Sequence, residues 1–414
     1  MERQMKMSPI VIIGGGQAGG AAALALRRHG ATGPITLIGR EPLPPYERPA
    51  LSKGLLLGET AFEKLVVLPE TVAADQAITL RLGTTVTAID RAAQTVTTDA
   101  GEVLPYGTLI LATGGRAREL QGLAPDGRDI FAIRTAADAE GIRERMGHAR
   151  SLLVIGGGWL GLEVAASARK TGLDVTLVEA GPRLCGRVLP PAVSAILADL
   201  HTRRGVDLRL GDAPVSLTAA EGGVSAHLAS GAVLAADMAV VAVGLTVEDD
   251  LARAAGLATA DGILTDAAGR TEDPAIFAIG DVARTPHPAI GTAARLESWQ
   301  MANLQAEAAA RAILNLAVPP AETPWFWSDQ YDLNLQILGL PDMAVQPIRR
   351  GSPETGRGSL LWLDPAERLC AVIALNAPRD IAMARRLIGT GLVIDRPRAA
   401  DPAVPLKDAV FRAA

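Results

Sequence analysis

The first forty residues combine short apolar runs with a glycine-rich turn and an alanine-rich helical pattern. The β-branched run Ile10–Ile13 has no polar position, and such a run is typical of a strand buried on both faces of a parallel sheet. A glycine-rich turn follows, and then an Ala/Leu stretch that predicts a helix ending near His29 and Gly30. A second apolar run, Ile35–Ile38, predicts the next strand.

The same design recurs in residues 151–180. An apolar strand at 152–155 leads into a second glycine-rich turn, a helix is predicted to end at Thr171 and Gly172, and a strand at 175–178 closes on Glu179. The two turns lie 142 residues apart. The chain therefore repeats one strand–turn–helix–strand unit, as expected for an α/β protein with two similar folds.

Both turns carry the spacing GxGxxG, at Gly14, Gly16 and Gly19 and again at Gly156, Gly158 and Gly161. The first glycine allows a tight turn, the second lets the backbone approach a pyrophosphate, and the third lets the helix pack on the strand. The N–H groups at the helix N-terminus can then bind the phosphate charge. A single glycine-rich turn could be present only because helix and strand pack closely. Two such turns, each between a predicted strand and a predicted helix, predict two bound dinucleotides.

An acidic residue after each second strand is expected to accept hydrogen bonds from an adenosine ribose. Glu179 has this place in the second copy, and its carboxylate would repel a 2′-phosphate, which favours NADH over NADPH. Arg183 and Arg187 are near enough in sequence to leave that preference open. In the first copy Glu41 is the expected ribose partner, and a solvated loop carboxylate is the alternative.

Composition narrows the protein class. The chain has 414 residues, which suggests about three domains, and its net charge of −5 argues against a general nucleic-acid binder. Two distant cysteines, Cys185 and Cys370, leave no CxxC motif and no set for a disulfide framework, an iron–sulfur cluster or zinc. The five histidines show no metal-ligand spacing. We expect no metal site and a reducing, cytoplasmic location.

The apolar stretch at residues 10–26 could be mistaken for a signal or membrane segment. Several glycines and Gln17 interrupt it, and 17 residues are marginal for a bilayer span, which needs about 20. We therefore expect no membrane association.

Further segments resemble the flavoproteins that bind two dinucleotides. Residues 109–115 (LILATGG) resemble the motif that closes the first FAD segment, and residues 240–244 (VVAVG) the exit from the NAD domain. Residues 273–283 (DPAIFAIGDVA) resemble the second FAD motif, whose aspartate, here Asp281, binds the ribityl chain; a helix N-cap is the alternative role. The resemblance implies two Rossmann-like domains of the glutathione-reductase type, with FAD in the first and NAD in the second, and an α+β C-terminal domain.

Three segments resemble the FAD-dependent NADH:ferredoxin reductases of oxygenase systems, the family that includes putidaredoxin reductase and the aromatic dioxygenase reductases. These are residues 45–53 (PYERPALSK), 295–302 (RLESWQMA) and 324–331 (PWFWSDQY). The dithiol reductases and NADH peroxidases have a cysteine near residues 42–60, where this chain has none. Arg40 departs from the family pattern where an acid is common, and Ala50 replaces a frequent proline.

The resemblance implies roles for individual residues. Lys53 and Glu163 would pair beside flavin N5, where the cation would stabilise the reduced flavin and the carboxylate would hold the lysine and touch the nicotinamide. A surface cation and an exposed helix residue are their alternatives. Trp299 would lie at the pyrimidine end of the flavin, unless it is a core residue. The expected cofactor-binding set is Gly14, Gly16, Gln17, Ala18, Gly19, Glu41, Arg48, Lys53, Ala112, Thr113, Gly114, Gly156, Gly158, Trp159, Leu160, Gly161, Glu163, Glu179, Arg187, Gly244, Gly280, Asp281, Glu297, Ser298 and Trp299.

Trp325, Phe326 and Trp327 are three consecutive aromatics, for which core packing and electron relay both stay open. The expected division is an FAD domain at 1–118 and 248–322, an NAD domain at 119–247 and a C-terminal domain at 323–414.

The expected activity is transfer of electrons from NADH through FAD to a [2Fe-2S] ferredoxin, which feeds a Rieske dioxygenase or a haem monooxygenase. Residues 341–414 carry 11 basic and 8 acidic residues, so that a net charge of +3 could dock an acidic ferredoxin transiently, although an arginine-rich composition explains it equally. We expect a monomer or a weak homodimer. The alternatives are an NADH oxidase or disulfide reductase, and an NADH-sensing flavoprotein of the apoptosis-inducing-factor type.

Overall fold

The computed structural model describes residues 8–120, 122–220 and 222–412. The chain folds into two compact units. The first unit takes in Met1–Arg48, Ala61–Arg116 and Thr246–Glu322, and the second takes in Pro49–Thr60, Ala117–Leu245 and Thr323–Ala414. The chain therefore passes between the units several times, and strands β8 (Gly115–Ala117) and β17 (Leu245–Val247) lie at two of these points.

A five-stranded parallel sheet forms the centre of the first unit. Its strands in spatial order are β19 (Ile276–Ala278), β7 (Thr108–Leu111), β1 (Ile10–Ile13), β2 (Ile35–Ile38) and β3 (Ile78–Arg81). Every residue of β1 is buried, as its unbroken apolar run predicts for a central parallel strand.

Helices pack on this sheet through small side chains. The helices of the first unit are α1 (Gln17–Arg28), α2 (Glu70–Asp75), α6 (Asp250–Ala254) and α7 (Trp299–Ile313). Ala22 and Ala23 of α1 share a buried cluster with Ala306 and Ala309 of α7, so that the two helices can approach closely. Smaller sheets complete the unit: β4 (Val86–Asp90), β5 (Thr95–Thr98) and β6 (Val103–Pro105); and β18 (Ile263–Leu264), β20 (Ala283–Pro286) and β21 (Ala293–Ala294).

The second unit contains the other repeat. Its parallel sheet has the spatial order β12 (Val206–Leu210), β11 (Asp174–Glu179), β10 (Ser151–Ile155), β16 (Met238–Val241) and β9 (Ile130–Ala132). Its helices are α3 (Ala136–Met146), α4 (Trp159–Lys170) and α5 (Pro191–Arg203). An antiparallel sheet follows, with strands β13 (Pro214–Ala220), β14 (Gly223–Leu228) and β15 (Val233–Ala236).

The C-terminal part of the second unit is an antiparallel sheet covered by helices. Its strands in spatial order are β22 (Trp325–Gln330), β23 (Leu333–Gly339), β26 (Leu369–Leu375), β25 (Arg357–Leu363) and β24 (Ile348–Ser352). Helices α8 (Pro378–Leu387) and α9 (Arg396–Ala400) pack on it, and β27 (Val393–Ile394) pairs with β28 (Val410–Phe411). Sheet and helices together give the α+β arrangement predicted for residues 323–414.

The four predicted strands of the repeats are present with ends that differ by at most one residue, because their apolar runs match the strand period directly. Helices α1 and α4 end at Arg28 and Lys170, one to two residues before the predicted ends. One segment is grouped differently from the sequence-based division. Pro49–Thr60 belongs to the second unit, whereas the division includes it in residues 1–118. The physical reason is that Ser52 and Lys53 bond to side chains of α4.

Within the described residues, no helix combines the length and the apolar character that crossing a membrane requires. The apolar stretch at residues 10–26 divides into strand β1 and most of helix α1, separated by the glycine turn.

A buried arginine fastens the C-terminal segment to its sheet. Arg350 of β24 is 6% exposed, and its Nε lies 3.1 Å from Asp380 Oδ1 of α8. Its terminal nitrogens donate to the carbonyl oxygens of Ala399, Asp401 and Val404 at 3.1, 2.6 and 2.9 Å. The guanidinium thus satisfies carbonyls at the end of α9 and in the residues that follow it.

We predict that Arg350→Leu opens this segment, because it leaves Asp380 without its cation and three carbonyls without their donor, a loss of about 3–5 kcal/mol for a broken buried pair. Hydrogen exchange of the amides in residues 396–409 should accelerate by about 10²–10⁴-fold. Arg349→Leu is the control, since Arg349 pairs with Glu354 at the surface, where such a pair contributes about 0–1 kcal/mol. Equal exchange in the two variants would contradict the role of Arg350.

Candidate functional site: two glycine turns and a buried ion pair

The first glycine turn can be built only from glycine at its two ends. Gly14 has φ +123°, and a Cβ there would lie 2.1 Å from the carbonyl oxygen of Ala112, at the end of β7. A Cβ on Gly19 would lie 2.0 Å from the carbonyl oxygen of Gly14. Helix α1 therefore starts in direct backbone contact with the strand ends, which is the close packing that the motif predicts.

The second turn repeats this geometry. Gly156 has φ +109°, and a Cβ there would lie 2.4 Å from the carbonyl oxygen of Ala242, which follows β16 as Ala112 follows β7. A Cβ on Gly161 would lie 2.0 Å from the Gly156 oxygen. The two turns are structural equivalents, as their sequences predict.

The middle glycines have open space in front of them. Gly16 and Gly158 are the N-cap residues of α1 and α4, where glycine offers no side chain to cap the helix. Among the described residues, a Cβ on Gly16 would meet only the Arg48 guanidinium at 4.0 Å, and one on Gly158 would meet nothing within 4 Å. Each turn therefore directs helix N–H groups into a space that fits a pyrophosphate.

Gly280 and Asp281 lie close to the first turn. Gly280 follows β19 with φ +74°, and a Cβ there would lie 2.9 Å from the Ala18 Cβ of α1. Its N–H donates to Gln305 Oε1 of α7 at 2.6 Å. Asp281 lies within the short 3-10 turn Gly280–Val282, whose N-cap is Ile279, so the alternative role of Asp281 as a helix N-cap does not apply.

Gln17 supplies a further polar group at this place. Its Nε2 donates to Asn303 Oδ1 at 2.9 Å, while its buried Oε1 has no hydrogen-bond partner within the described part of the chain. An acceptor of this kind beside the N-terminus of α1 fits a hydroxyl-bearing ligand.

The predicted ribose partners differ in what they contact. Glu41 accepts hydrogen bonds from Tyr46 Oη at 2.5 Å and from Arg48 at 2.7 Å. Glu179 accepts from the backbone N–H groups of Gly157 at 2.6 Å and Gly181 at 2.7 Å. Glu179 is therefore held on the second glycine turn, at the position that the fingerprint predicts.

The two arginines that kept the NADPH question open have different surroundings. Arg183 donates to Ser194 Oγ at 3.1 Å and to the carbonyl oxygens of Gly186 and Leu189, so its guanidinium is engaged within its own loop. Arg187 is exposed. Of these two arginines, Arg187 is therefore the one whose guanidinium is open to a 2′-phosphate near Glu179.

Lys53 and Glu163 form a close ion pair in the second unit. Lys53 Nζ lies 2.8 Å from Glu163 Oε1, and the two side chains are 20% and 7% exposed. Ser52 Oγ donates to the other carboxylate oxygen, Oε2, at 2.5 Å, and Ser167 of α4 donates to the Ser52 carbonyl at 2.7 Å. The alternatives, a surface cation and an exposed helix residue, do not describe these side chains.

Trp299 begins helix α7, next to its N-cap Ser298, whose Oγ accepts from the Met301 N–H at 3.1 Å. Its indole Nε1 donates to Glu47 Oε1 at 3.1 Å. Glu297 forms an ion pair with Arg295. Sequence reasoning did not single out Glu47, although it lies within the PYERPALSK segment.

The two units divide the expected cofactor-binding residues between them. The first unit contains Gly14, Gly16, Gln17, Ala18, Gly19, Glu41, Arg48, Ala112, Thr113, Gly114, Gly280, Asp281, Glu297, Ser298 and Trp299. The second unit contains Lys53, Gly156, Gly158, Trp159, Leu160, Gly161, Glu163, Glu179, Arg187 and Gly244. Lys53 and Glu163, the two residues expected to pair, thus belong to the same unit.

Cys185 follows the strand that ends in Glu179, and its thiol is free and buried. Burial, with a smaller contribution from the charges of Glu179 and Glu163, raises the pKa of the Cys185 thiol to about 12. A thiol must ionise to act as a nucleophile, so this cysteine is unsuited to disulfide chemistry at neutral pH.

The aromatic triplet of β22 packs on both sides. Trp325 and Trp327 stack with ring centroids 4.8 Å apart, and Phe326 contacts Trp159 of α4 with centroids 5.0 Å apart. Trp325 also packs against the core of the C-terminal sheet. Packing explains these contacts.

Comparison with known proteins adds to this geometry. Residues 8–306 match the family model described as pyridine nucleotide-disulphide oxidoreductase, and residues 325–410 match the reductase C-terminal model. The ferredoxin–NAD(+) reductase component of the anthranilate 1,2-dioxygenase system of Burkholderia cepacia is 43% identical over 97% of this chain and 99% of its own. Rhodocoxin reductase of Rhodococcus erythropolis is 41% identical over 97% and 94%.

A solved structure is also similar to this chain over nearly its full length. The crystal structure of the covalent putidaredoxin reductase–putidaredoxin complex has a TM-score of 0.93 and 36% identity, with 98% of each chain covered. The similarity therefore covers nearly the whole chain, including the segments that form the glycine turns and the C-terminal sheet.

We predict that Asp281→Ala lowers the FAD content of the purified protein, because it removes the carboxylate expected to bind the ribityl chain. The protein should be yellow, and denaturation should release the FAD, which absorbance quantifies. Asp99→Ala, at an exposed position of the same unit, is the control and should retain FAD. Stoichiometric FAD in the Asp281 variant would remove this residue from the site.

We predict that kcat/KM is at least about tenfold higher for NADH than for NADPH, a difference of ~1.4 kcal/mol, because the Glu179 carboxylate, expected at the ribose, would repel a 2′-phosphate. Glu179→Ala should narrow the difference, and Glu140→Ala, an exposed acid on α3, should not. Steady-state kinetics with both nucleotides measure it. Equal kcat/KM for NADH and NADPH in the unaltered protein would overturn the assignment of Glu179 to the ribose.

Proposed function

The chain belongs to the pyridine nucleotide-disulphide oxidoreductase family, and we propose that it transfers electrons from NADH through FAD to a [2Fe-2S] ferredoxin that feeds an oxygenase. The observation that carries this proposal is the full-length similarity, at 43% identity, to a ferredoxin–NAD(+) reductase component, which includes the C-terminal sheet. The oxygenase is a Rieske dioxygenase or a haem monooxygenase.

The residues of each unit have a definable part in binding. In the first unit, the N–H groups at Gly16 and the start of α1 would hold the pyrophosphate of FAD, and Asp281 its ribityl chain. In the second unit, Gly158 and the start of α4 would hold the pyrophosphate of NADH, and Glu179 its ribose. FAD, when bound, supplies the chemistry that takes a hydride from NADH and gives up electrons singly.

We assign Lys53 and Glu163 to the reacting end of the flavin, as the resemblance implies. A buried carboxylate that also accepts a hydrogen bond from Ser52 keeps the lysine ammonium at one place, so that its positive charge is available where negative charge develops. Positioning is the main contribution that a protein makes to hydride transfer.

Disulfide reduction is a poorer match to these residues. Positions 42–60 contain no cysteine, and the Cys185 thiol has a pKa of about 12. The electron acceptor is therefore proposed to be a separate protein.

Helix α8 offers a surface for an acidic ferredoxin. Arg379, Arg385 and Arg386 are exposed on it, and Arg385 also covers the ring of Trp325 at 4.8 Å. Other arginines of the C-terminal part are instead paired with acids, as in the pairs Arg349–Glu354 and Arg368–Asp364. Complementary charge of this kind raises the association rate of a transient complex and weakens with salt.

The three-domain division at 1–118 with 248–322, 119–247 and 323–414 is part of this proposal, as is a monomer or weak homodimer. We also propose a cytoplasmic location, because both described cysteines are free thiols, as is usual in a reducing compartment.

The direct test is NADH-driven cytochrome c reduction with and without added [2Fe-2S] ferredoxins. Fast, sustained turnover that requires the ferredoxin, and that declines with salt, is the expected result. Rapid NADH oxidation by O₂ alone would support an oxidase, and one reduction of the flavin without turnover would support an NADH-sensing flavoprotein.

We predict that Lys53 and Glu163 act as a pair. Lys53→Ala should slow flavin reduction by NADH and leave Glu163 without its cation in a buried place. Removing both side chains should raise the activation free energy of flavin reduction by less than the sum of the two single increases, because residues in contact commonly couple by ~0.5–3 kcal/mol. Stopped-flow reduction of the two single variants and the double variant measures the coupling.

Lys170→Ala provides the control for this cycle, since Lys170 is an exposed lysine at the end of α4. Its effect should add to that of Glu163→Ala. If the effects of Lys53→Ala and Glu163→Ala on the logarithm of the flavin-reduction rate also add up in the double variant, the two residues act independently. The pair then has no joint role.

A further inference from the structure

Glu163 has a partner from the C-terminal sheet that the proposed chemistry does not use. Ser328 Oγ of β22 donates to Glu163 Oε1 at 2.6 Å, the same oxygen that Lys53 Nζ contacts at 2.8 Å. Ser328 is fully buried. The carboxylate thus receives a donor from a strand 165 residues away in sequence.

A line of buried polar groups continues from Ser328. Gln330 Nε2 donates to Ser328 Oγ at 3.1 Å, and Gln330 Oε1 lies 2.9 Å from His201 Nε2 of α5. His201 Nδ1 lies 3.4 Å from the hydroxyl of Tyr331. Gln330 and His201 are 2% and 0% exposed, so each has to find its hydrogen bonds within the protein.

The direction of each bond follows from the chemistry of the groups. A carboxylate can only accept, so the Ser328 hydroxyl donates to it, and Ser328 Oγ in turn accepts from the Gln330 amide. Gln330 Oε1 then requires the proton on His201 Nε2. The remaining ring nitrogen, Nδ1, accepts from the hydroxyl of Tyr331.

The protonation states agree with this order. Burial lowers the pKa of His201, so that its ring is neutral at pH 7 and has one N–H. Burial also raises the pKa of Tyr331 to about 12, so that its hydroxyl keeps its proton. Every bond of the series therefore donates toward Glu163, and aligned bonds of this kind polarise one another.

The far end of the series is anchored. Tyr331, in the tight turn between β22 and β23, has φ +57°, a region that favours glycine. Its ring packs against His201 with centroids 5.2 Å apart and against the Arg204 guanidinium at 5.1 Å. These contacts hold a strained turn in place, and with it the strand that presents Ser328.

We propose that Ser328 is a positioning residue for the Lys53–Glu163 pair, and that Gln330 and His201 keep its hydroxyl directed at the Glu163 carboxylate. The inference rests on the proposed function, because the pair is assigned there to the flavin. Donors on both oxygens, Ser52 on Oε2 and Ser328 on Oε1, prevent the carboxylate from rotating. The ammonium of Lys53 is thereby held at a single place.

The test compares Ser328→Ala with Ser359→Ala in the holoenzyme. Ser359 is a matched control, because it is also a fully buried strand serine, and its Oγ donates to a carboxylate, that of Asp380, at 2.7 Å. Ser328→Ala should lower the limiting rate of flavin reduction by about tenfold while KM for NADH changes less, as expected for lost alignment. Ser359→Ala should match the unaltered protein.

A second readout does not depend on turnover. The flavin midpoint potential of Ser328→Ala should shift toward that of Lys53→Ala, because a displaced ammonium stabilises the reduced flavin less. Ser328→Thr, which keeps a hydroxyl, should restore both the rate and the potential. Gln330→Met removes the hydrogen bond to Ser328, one bond further from Glu163, and should change the rate and the potential in the same direction by a smaller amount. This variant replaces Ser328→Ala in the test if Ser328→Ala does not fold.

The decisive comparison is made in the Lys53→Ala background, where Ser328→Ala should have no further effect on the limiting rate. An effect of equal size with and without Lys53 would show a general structural role and overturn the inference. An unchanged rate and potential in Ser328→Ala, alongside a slowed Glu163→Gln variant, would also overturn it. Failure of the unaltered protein to reduce any ferredoxin would instead count against the proposed function, since flavin reduction by NADH is measured without ferredoxin.

Discussion

The contact between a helix start and a strand end is the constraint on which both dinucleotide folds depend. At Gly19 and Gly161 the backbone of the helix lies so near the first glycine of its turn that a single added carbon would meet a carbonyl oxygen at 2.0 Å. This approach aims the N-termini of α1 and α4 into the open space in front of Gly16 and Gly158. Without it, the helix N–H groups would not converge on a pyrophosphate.

A buried carboxylate has a comparable place in the second unit. Glu163 accepts from Ser52, Lys53 and Ser328, which come from an N-terminal segment and from the C-terminal sheet. An unpaired carboxylate in such a place would be costly, so each of these segments is bound to α4 by the need to satisfy one charge. The same need explains why Pro49–Thr60 belongs to the second unit rather than to the part of the chain that precedes it.

The chemistry proposed for the protein relies on charge and position more than on reactive groups. The thiol nearest to the second turn, Cys185, is buried beside two carboxylates and stays protonated at neutral pH. What the second unit presents instead is a fixed ammonium and a fixed carboxylate. That combination suits a reaction in which a hydride is transferred between stacked rings and the protein holds the rings and balances charge.

Local sequence was sufficient to predict the elements whose sequence pattern is local. Apolar runs and the GxGxxG spacing predicted β1, α1, β10 and α4 because strand period, helix period and turn geometry depend on neighbouring residues. The pairing of Lys53 with Glu163 came from a resemblance and not from spacing. Ser328, Gln330 and His201 could not be found in this way, because buried serine, glutamine and histidine have no local pattern and are brought to Glu163 only by contacts between residues more than a hundred positions apart. The sequence by itself thus determined the two dinucleotide folds, and the tertiary structure alone decided which distant donors surround the buried carboxylate.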